Sequence, residues 1–167
     1  VYSIGCVTID PIDPNTIWVG TGENVGGRHV GFGDGVYKSQ DGGASWNNMG
    51  LKKSEHISEI IVHPNNSDVV MIAVQGPLWT KGGERGFYKS TDGGANWKKI
   101  HNGFPLGKLG RIAVAAAPSN GNILYAVLET EKDSDKGLYR SDNAGRSWTH
   151  LNKDFGLVVR PFYFSRL

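Results

Sequence analysis

Two acidic residues, Glu23 and Asp34, bound a glycine-rich segment that also contains Arg28 and His29. Hydrolysis of a glycosidic bond generally needs two carboxylates about 5 to 10 Å apart across that bond. No other non-repeated acidic pair suggests itself in the sequence, so Glu23 and Asp34 are the nearest candidates for this chemistry. Arg28 and His29 lie between them and are candidates for ligand binding.

A second segment combines an aromatic residue with charged ones, namely Trp79, Lys81, Glu84 and Arg85. An aromatic face beside cationic donors suits a sugar ring or a carboxylate. Trp79, Lys81 and Arg85 are therefore candidates for ligand binding. The alternative interpretation is that Trp79 caps the hydrophobic core and that the charged groups are solvated.

A repeat sets the elements that must position these segments. One hairpin signature occupies residues 35–46, 86–97 and 137–148, and its closing tryptophans at positions 46, 97 and 148 are 51 residues apart. A period of this size indicates repeated supersecondary units. Both candidate segments lie outside the signature, in parts of the chain that do not repeat.

Each repeat is predicted to form four short strands. Runs rich in Val, Ile, Tyr and Trp are bounded by Gly, Pro, Asn and Asp, which is typical of strands and turns. In the first repeat we predict strands near 4–9, 16–21, 35–39 and 45–49, and we predict no helix in the chain. Four-stranded units of about 40 to 50 residues are the blades of β-propellers.

The predicted fold class is therefore all-β, a β-propeller fragment of three four-stranded antiparallel blades plus the start of a fourth. The single partial propeller is predicted to span residues 1–167, with blades at about 1–50, 51–101 and 102–152, and with residues 153–167 leading into the next blade. If an end blade exposes about 500 Å² of apolar surface, the lost burial costs about 12 kcal/mol at ~25 cal/mol/Å². We therefore expect further blades of the parent chain, or a second copy, to complete the ring.

The repeated signature contains the pattern Ser-x-Asp-x-Gly-x-Ser/Thr-Trp, which resembles the Asp-box, or BNR repeat, of a family of β-propellers. That family includes bacterial sialidases, xyloglucan-cleaving enzymes, sortilin-type receptors and photosystem assembly factors. Residues 17–24, 31–38, 54–57 and 75–79 look like segments of large secreted bacterial proteins related to the sortilin propeller and often labelled BNR-repeat glycosyl hydrolases. The resemblance implies a secreted or periplasmic location.

The Asp-box positions are predicted to be structural rather than catalytic. A short Asp side chain can accept hydrogen bonds from its own turn, glycine supplies a positive φ, and Trp packs under the hairpin. Asn143 replaces Asp in the third copy, which a turn tolerates and a catalytic acid would not. The predicted structural positions are Ser39, Asp41, Gly43, Trp46, Ser90, Asp92, Gly94, Trp97, Ser141, Asn143, Gly145 and Trp148.

Equivalent positions in successive inner strands are occupied by Cys6, Glu59, Arg111 and Arg166, and the last three of these are candidates for ligand binding. Sialidases bind the substrate carboxylate with an arginine triad, and the resemblance therefore implies that Arg111 and Arg166 could line the channel as ligand-binding residues. The sialidase signature Arg-Ile-Pro is absent, however, because Arg111 is followed by Ile-Ala. An ion pair between Glu59 and Arg111 is the favoured interpretation.

Composition argues against several classes of protein. The net charge is only +2 over 167 residues, and the Lys and Arg residues are scattered, which argues against nucleic acid as a partner. The apolar runs are too short to span a membrane. The single cysteine, Cys6, can form no internal disulfide and is predicted to be a buried strand residue, and neither a metal nor a cofactor is predicted.

The leading hypothesis is a non-catalytic interaction module, a propeller of a secreted Asp-box protein that presents a loop face to a protein or glycan ligand. The first alternative is a fragment of a glycoside hydrolase of the sialidase or xyloglucanase kind. The second is a shortened repeat protein that self-assembles into a closed ring. An enzyme is the less favoured interpretation at this stage, because no catalytic pair is clear.

Overall fold

The structure, a computed structural model, describes residues 3–24, 30–80 and 82–158. Two compact units, Val1–Lys98 and Lys99–Leu167, divide the chain. The strands are β1 (Ile4–Ile9), β2 (Ile17–Thr21), β3 (Val36–Ser39), β4 (Asn47–Asn48), β5 (Ile57–His63), β6 (Asn66–Val74), β7 (Gly86–Ser90), β8 (Lys98–Ile100), β9 (Leu109–Ala117), β10 (Asn120–Thr130), β11 (Gly137–Ser141) and β12 (Thr149–Asn152). Two short 3₁₀ turns, Asp133–Asp135 and Phe155–Val158, are the helical segments of the described residues.

The strands form three four-stranded antiparallel sheets, each a meander in chain order. The first sheet contains β1 to β4, the second β5 to β8 and the third β9 to β12. This confirms the predicted all-β fold of three blades, and the strands of the first sheet lie within about two residues of their predicted ends. The predicted start of a fourth blade lies largely in residues 159–167, outside the described residues. The predicted blade boundaries stay a prediction.

Trp18 is the centre of the hydrophobic core of the first unit. Its side chain is fully buried and meets Trp97 edge to face, with ring centroids 6.3 Å apart. Lys38 lies over the Trp18 ring at 4.9 Å and donates a hydrogen bond to the carbonyl of Gly93 at 3.2 Å. The indole Nε1 of Trp97 donates a hydrogen bond to the carbonyl of Met49 at 2.7 Å. This bond connects the Asp-box turn of the second sheet to the first sheet.

Close packing between the first and second sheets depends on glycine at one strand position. A Cβ atom at Gly20 in β2 would lie 2.5 Å from Cγ2 of Ile57 in β5, too close for any real contact. Thr8 in β1 also donates a hydrogen bond to the carbonyl of Ile60 at 2.8 Å. The inner strands of these two sheets therefore pack directly against each other.

A cluster of stacked aromatic side chains contributes to the core of the second unit. Phe104 stacks on Trp148 with centroids 4.8 Å apart and meets Tyr139 edge to face at 5.8 Å. Tyr139 in turn stacks on His150 at 4.3 Å. Such pairs add about 0.5–1.5 kcal/mol each beyond the area that they bury.

Candidate functional site

The Asp-box turns are closed by side chains that bind their own backbone. In the first copy, Ser39 Oγ accepts from the amide of Gly43 at 2.8 Å and donates to Asp41 Oδ1 at 2.8 Å. Asp41 also accepts from the amide and the hydroxyl of Ser45, at 2.8 and 2.5 Å. The polar atoms of the turn are therefore used within the turn.

The third copy makes the same bonds without a carboxylate. Asn143 Oδ1 accepts from the hydroxyl of Ser141 at 3.0 Å and from the amide of Ser147 at 2.9 Å, while Asn143 Nδ2 donates to the Ser147 hydroxyl at 2.7 Å. An amide can take the place of the carboxylate here because one oxygen provides the two acceptor contacts. The bonding explains why Asn is compatible with this position.

Hydrogen bonding stabilises the ionised form of the two box carboxylates. The Ser45 hydroxyl first, and then the Ser45 amide and the Ser39 hydroxyl, lower the pKa of Asp41 to about 2. For Asp92, the Asn96 amide group is the main cause, and the pKa is again about 2. Carboxylates with such a low pKa are unsuited to act as general acids near neutral pH.

The low pKa values of Asp41 and Asp92 predict how the stability of the protein depends on pH. A carboxyl whose pKa is lower in the folded than in the unfolded state stabilises the fold above its unfolded pKa, and this contribution is lost as the pH falls toward the folded value. The contribution of Asp41 and Asp92 is therefore full above about pH 4 and declines toward pH 2. We expect the melting temperature of the Asp41→Asn/Asp92→Asn variant to fall less between pH 4 and pH 2.5 than that of the wild type. Equal declines in thermal melts would contradict this expectation.

The segment between β2 and β3 is fixed at both ends by polar contacts. Thr21 Oγ1 donates to the carbonyl of Gly35 at 2.6 Å and accepts from the amides of Asp34 and Gly35. Glu23 is half-buried, and its Oε2 accepts from the amide of Gly31 at 3.1 Å. The predicted ligand-binding residues Arg28 and His29 lie outside the described residues.

Asp34, the proposed partner of Glu23, is exposed and has a contact of its own. The hydroxyl of Tyr37 donates to both carboxylate oxygens of Asp34, at 3.0 and 2.9 Å. Each of the two acidic side chains is therefore held by a neighbour in its own loop or strand. The catalytic role of this pair stays a proposal.

A group of polar residues at the same end of the first two sheets was not selected from the sequence. Asn24 Nδ2 donates to the carbonyl of Ser58 at 3.0 Å, and Gln75 Nε2 donates to Asn24 Oδ1 at 2.7 Å. The ring of His56 lies 2.9 Å from the carbonyl of Glu23 through Nδ1. We call Asn24, His56 and Gln75 the bridging group, because they join the first candidate loop to the second sheet.

Two members of the bridging group, His56 and Gln75, are buried, whereas Asn24 is half-buried. A carbonyl only accepts hydrogen bonds, so Nδ1 of His56 carries the proton and Nε2 is the free acceptor. Nε2 is buried and has no hydrogen-bond partner among the described residues. Burial is the main cause that lowers the pKa of His56, against the opposing effect of Glu23 and Glu55. The three residues of the bridging group lie near strand ends and outside the repeated signature. That position is the signal by which the sequence could have identified them.

The segment between β6 and β7 carries the second set of candidates. Trp79 is 67% exposed, which makes it the most exposed aromatic side chain of the described residues. The guanidinium of Arg85 donates to the carbonyls of Pro77 and Thr80, so it shapes the loop that presents Trp79. Lys81 lies outside the described residues.

The inner-strand candidates have surroundings of different kinds. Cys6 lies in β1 as predicted, but it is half-buried rather than buried. Desolvation raises the pKa of its thiol to about 12, and the nearby charge of Glu59 adds to this effect, so the thiol is not ionised near pH 7. In the second unit, Arg111 is buried and its backbone amide donates to Glu129 Oε2 at 3.0 Å. Arg166 lies outside the described residues. The channel ion pair and the cationic lining both stay predictions.

The described residues offer neither a metal-binding cluster nor a membrane-spanning helix. Within residues 3–24, 30–80 and 82–158, no three His, Cys, Asp or Glu side chains are grouped so that they could hold a metal ion. No helix in those ranges has the length and apolar character needed to cross a membrane. The polar groups at the ends of the first two sheets, and the exposed Trp79, are the features that suit contact with a polyhydroxylated ligand.

Two curated relatives match most of the chain. One is a xyloglucanase of a Paenibacillus species, 33% identical over 134 residues, which covers 76% of this chain and 12% of the relative. The other is a probable oligoxyloglucan-reducing end-specific xyloglucanase of Neosartorya fischeri, 28% identical over 151 residues, which covers 89% of this chain and 17% of the relative. The chain thus spans less than a fifth of the length of either relative.

A solved structure supports the propeller fold. The crystal structure of an ancestral GH74 enzyme superimposes with a TM-score of 0.66 over 95% of this chain and 19% of that one, at 24% identity. At this identity the similarity bears on the fold alone. It agrees with the three sheets described above and with the predicted propeller class.

These relatives correct the function that the sequence favoured. The leading hypothesis, a non-catalytic interaction module, is contradicted because both curated relatives are named as xyloglucanases. The expectation had rested on the lack of a clear catalytic pair. That lack is weak evidence in a chain that spans so little of its relatives.

The predicted Asp-box family is confirmed by a match to a family model. The model describes sortilin, also called neurotensin receptor 3, and it matches residues 34–164. The match includes all three Asp-box turns from Ser39 to Trp148, and it covers more than half of the chain. The chain therefore belongs to the Sortilin-Vps10 family of Asp-box β-propellers.

Proposed function

We propose that this chain is part of a glycoside hydrolase that acts on xyloglucan-type β-glucans. The observation that carries the proposal is the 33% identity over 134 residues to a xyloglucanase. The chain covers only 12% of that relative, so the activity and the substrate of the whole protein both belong to this proposal.

The loop contacts favour a neutral glycan over an acidic one. Phe32, in the segment between β2 and β3, and Trp79, in the segment between β6 and β7, are 60% and 67% exposed. Flat aromatic faces of this kind can pack on the apolar face of a sugar ring. Arg85 donates to loop carbonyls, so its guanidinium is engaged in holding the loop rather than in receiving a substrate carboxylate.

Glu23 and Asp34 remain the proposed carboxylates of the reaction, with Arg28, His29 and Lys81 as proposed substrate contacts. The bridging group supports Glu23 in particular, because His56 holds its carbonyl and the neighbouring Asn24 is bound to Gln75. A side chain that acts in catalysis must be held in place by such neighbours. In this proposal the second sheet therefore positions the segment between β2 and β3, which contains Glu23.

The test is binding and hydrolysis of xyloglucan oligosaccharides. We expect Trp79→Ala to weaken binding about two- to tenfold in isothermal titration calorimetry, since an aromatic contact contributes about 0.5–1.5 kcal/mol. Leu106→Ala, a control at a side chain that is 98% exposed and outside the candidate loops, should leave the affinity unchanged. We expect Glu23→Gln to retain binding and to lose release of reducing ends. A full-length protein that contains this chain and neither binds nor cleaves these oligosaccharides would contradict the proposal.

The proposed substrate also bears on location. A polysaccharide that lies outside the cell is too large to cross a membrane, so in this proposal the enzyme acts outside the cytoplasm. This agrees with the secreted or periplasmic location that the family resemblance implies. Cell fractionation with an antibody against the chain would check it, and retention in the cytoplasm would contradict it.

A further inference from the structure

A turn that leads into β5 places a third acidic residue, Glu55, against the segment between β2 and β3. The amide of Gly33 in that segment donates to the carbonyl of Glu55 at 2.7 Å, and the two residues form an antiparallel bridge. A Cβ atom at Gly22 would lie 1.9 Å from the same carbonyl oxygen. The backbone of Glu55 is therefore in contact with the residue that directly precedes Glu23.

Glu55 has a backbone conformation that glutamate rarely adopts. Its φ is +52°, in the left-handed region, and the amide of His56 donates to the carbonyl of Ser54 at 2.5 Å. A three-residue turn with a positive φ at its centre is rare and strained. Such strain persists only where the surrounding structure holds it, and it is concentrated at functional sites. Glycine would avoid the strain, so the presence of glutamate favours a role for its side chain.

The carboxylate of Glu55 is available to a ligand. Its residue is half-buried, and within the described part of the chain the carboxylate accepts no hydrogen bond and forms no ion pair. Asp34 differs, because both of its carboxylate oxygens accept from the hydroxyl of Tyr37. Of these two acidic side chains beside Glu23, Glu55 is therefore the one with both oxygens unengaged.

His56 connects the two glutamates and has an unused acceptor. Its Nδ1 donates to the carbonyl of Glu23 at 2.9 Å. Burial lowers the pKa of His56, and the charges of Glu55 and Glu23 oppose this effect, so both carboxylates lie near the imidazole. His56 is fully buried, and its Nε2 has no hydrogen-bond partner among the described residues. An unpaired buried acceptor beside two carboxylates indicates a place for a further hydrogen-bonding group, which a ligand can supply.

Phe32 indicates where a sugar ring would lie. Its side chain is 60% exposed, and its ring centroid is 5.7 Å from that of His56. Phe32 also directly precedes Gly33, the residue that is bonded to Glu55. An aromatic face of this kind can pack on a sugar ring. A sugar on Phe32 would therefore lie beside Glu55 and His56.

We propose that Glu55, rather than Asp34, is the carboxylate that acts with Glu23 on the glycosidic bond. This inference rests on the proposed function, glycoside hydrolysis. One of the two carboxyl groups is protonated and gives its proton to the glycosidic oxygen as the bond from that oxygen to C1 breaks. The other is ionised and takes a proton from the water molecule whose oxygen bonds to C1, so that one water is consumed and two sugar hydroxyls are formed.

Hydrolysis of xyloglucan oligosaccharides by the full-length protein that contains this chain tests the assignment. We expect Glu55→Gln to lower kcat at least about 100-fold, the contribution of a general acid or base, and to leave the affinity for the product oligosaccharides unchanged. Asp34→Asn should lower kcat less. The matched control is Glu131→Gln, since Glu131 forms an exposed ion pair with Lys108 in the second unit, and this variant should hydrolyse like the wild type.

A second substitution separates loss of chemistry from loss of fold. Glu55→Gly introduces a residue that readily adopts a positive φ, so this variant should melt no lower than the wild type and still lose hydrolysis. Melting well below the wild type would show that the Glu55 side chain is structural and would overturn the proposal.

The outcomes distinguish this assignment from the proposed function. A Glu55→Gln variant as active as the wild type, or a larger loss of kcat in Asp34→Asn, would overturn the role of Glu55 and leave the proposed function intact. A wild-type protein that does not hydrolyse the oligosaccharides would overturn the proposed function and the role of Glu55 together.

Discussion

Replacing Trp18 by alanine is expected to lower the free energy of unfolding by about 3–5 kcal/mol, as for other large aromatic side chains in cores. Trp18 is fully buried, and a Cβ atom at Gly94 would lie 2.5 Å from its ring. Its removal would leave a cavity between the first sheet and the Asp-box turn that ends with Trp97. The contact between the two sheets would then lose its central side chain.

Urea denaturation followed by circular dichroism measures this effect. The matched control is Trp46→Ala, which removes the same kind of side chain from a site that is 41% exposed. The Trp46 indole donates to the carbonyl of Gly43 at 3.0 Å, within its own turn, so its loss should cost much less. Equal losses of stability in the two variants would show that Trp18 is not the centre of the core.

Replacing Gly22 by alanine is expected to destabilise the fold by more than about 3 kcal/mol, because strained backbone and a steric clash act together. Gly22 has a φ of +91°, and an added Cβ would lie 1.9 Å from the carbonyl oxygen of Glu55. Relief of that clash would move the backbone that leads into Glu23. The bond from His56 to the Glu23 carbonyl would be lost at the same time.

Substitution of Gly42 measures the cost of the left-handed backbone conformation without a steric clash. Gly42 also has a positive φ, +71°, but the nearest atom to an added Cβ is 3.8 Å away. The third Asp-box has Ala144 at the equivalent position with a φ of +53°. Gly42→Ala should therefore cost only about 1–2 kcal/mol, the penalty of the left-handed conformation. Melting and urea curves compare the variants, and a Gly42→Ala variant as unstable as Gly22→Ala would refute the role of the clash.

For an enzyme of the proposed kind, the Gly22 variant also separates stability from positioning. At a temperature where the variant is still folded, the proposal expects oligosaccharide hydrolysis to fall more than oligosaccharide binding. The reason is that Trp79 lies in a different loop, whereas Glu23 directly follows Gly22. Loss of both properties in proportion would indicate a purely structural effect.

The sequence predicted the local part of this structure well. Strands and turns of the Asp-box follow from short-range contacts, such as those of Ser39 and Asp41 with residues at most four positions away. Such contacts recur wherever the same residue types recur at the same spacing. The period of the tryptophans therefore predicted the three sheets and the approximate ends of the strands.

The bridging group shows why the site could not be predicted in the same way. Gln75 and Asn24 are separated by 51 positions, and their hydrogen bond exists only because the first and second sheets lie side by side. His56 meets the carbonyl of Glu23 across the same junction. The repeated signature does not include these residues, because each serves a contact that occurs once.

The sequence by itself thus determined the strands, the turns and the Asp-box family, because each of these depends on residues close together in the chain. Only the tertiary structure decided which equivalent apolar residues are covered. Ile57 and Ile4 occupy the same position in two repeats, yet one is fully buried and the other is 60% exposed. The physical reason is that burial depends on the neighbouring sheet, and a repeat unit does not contain its own neighbour.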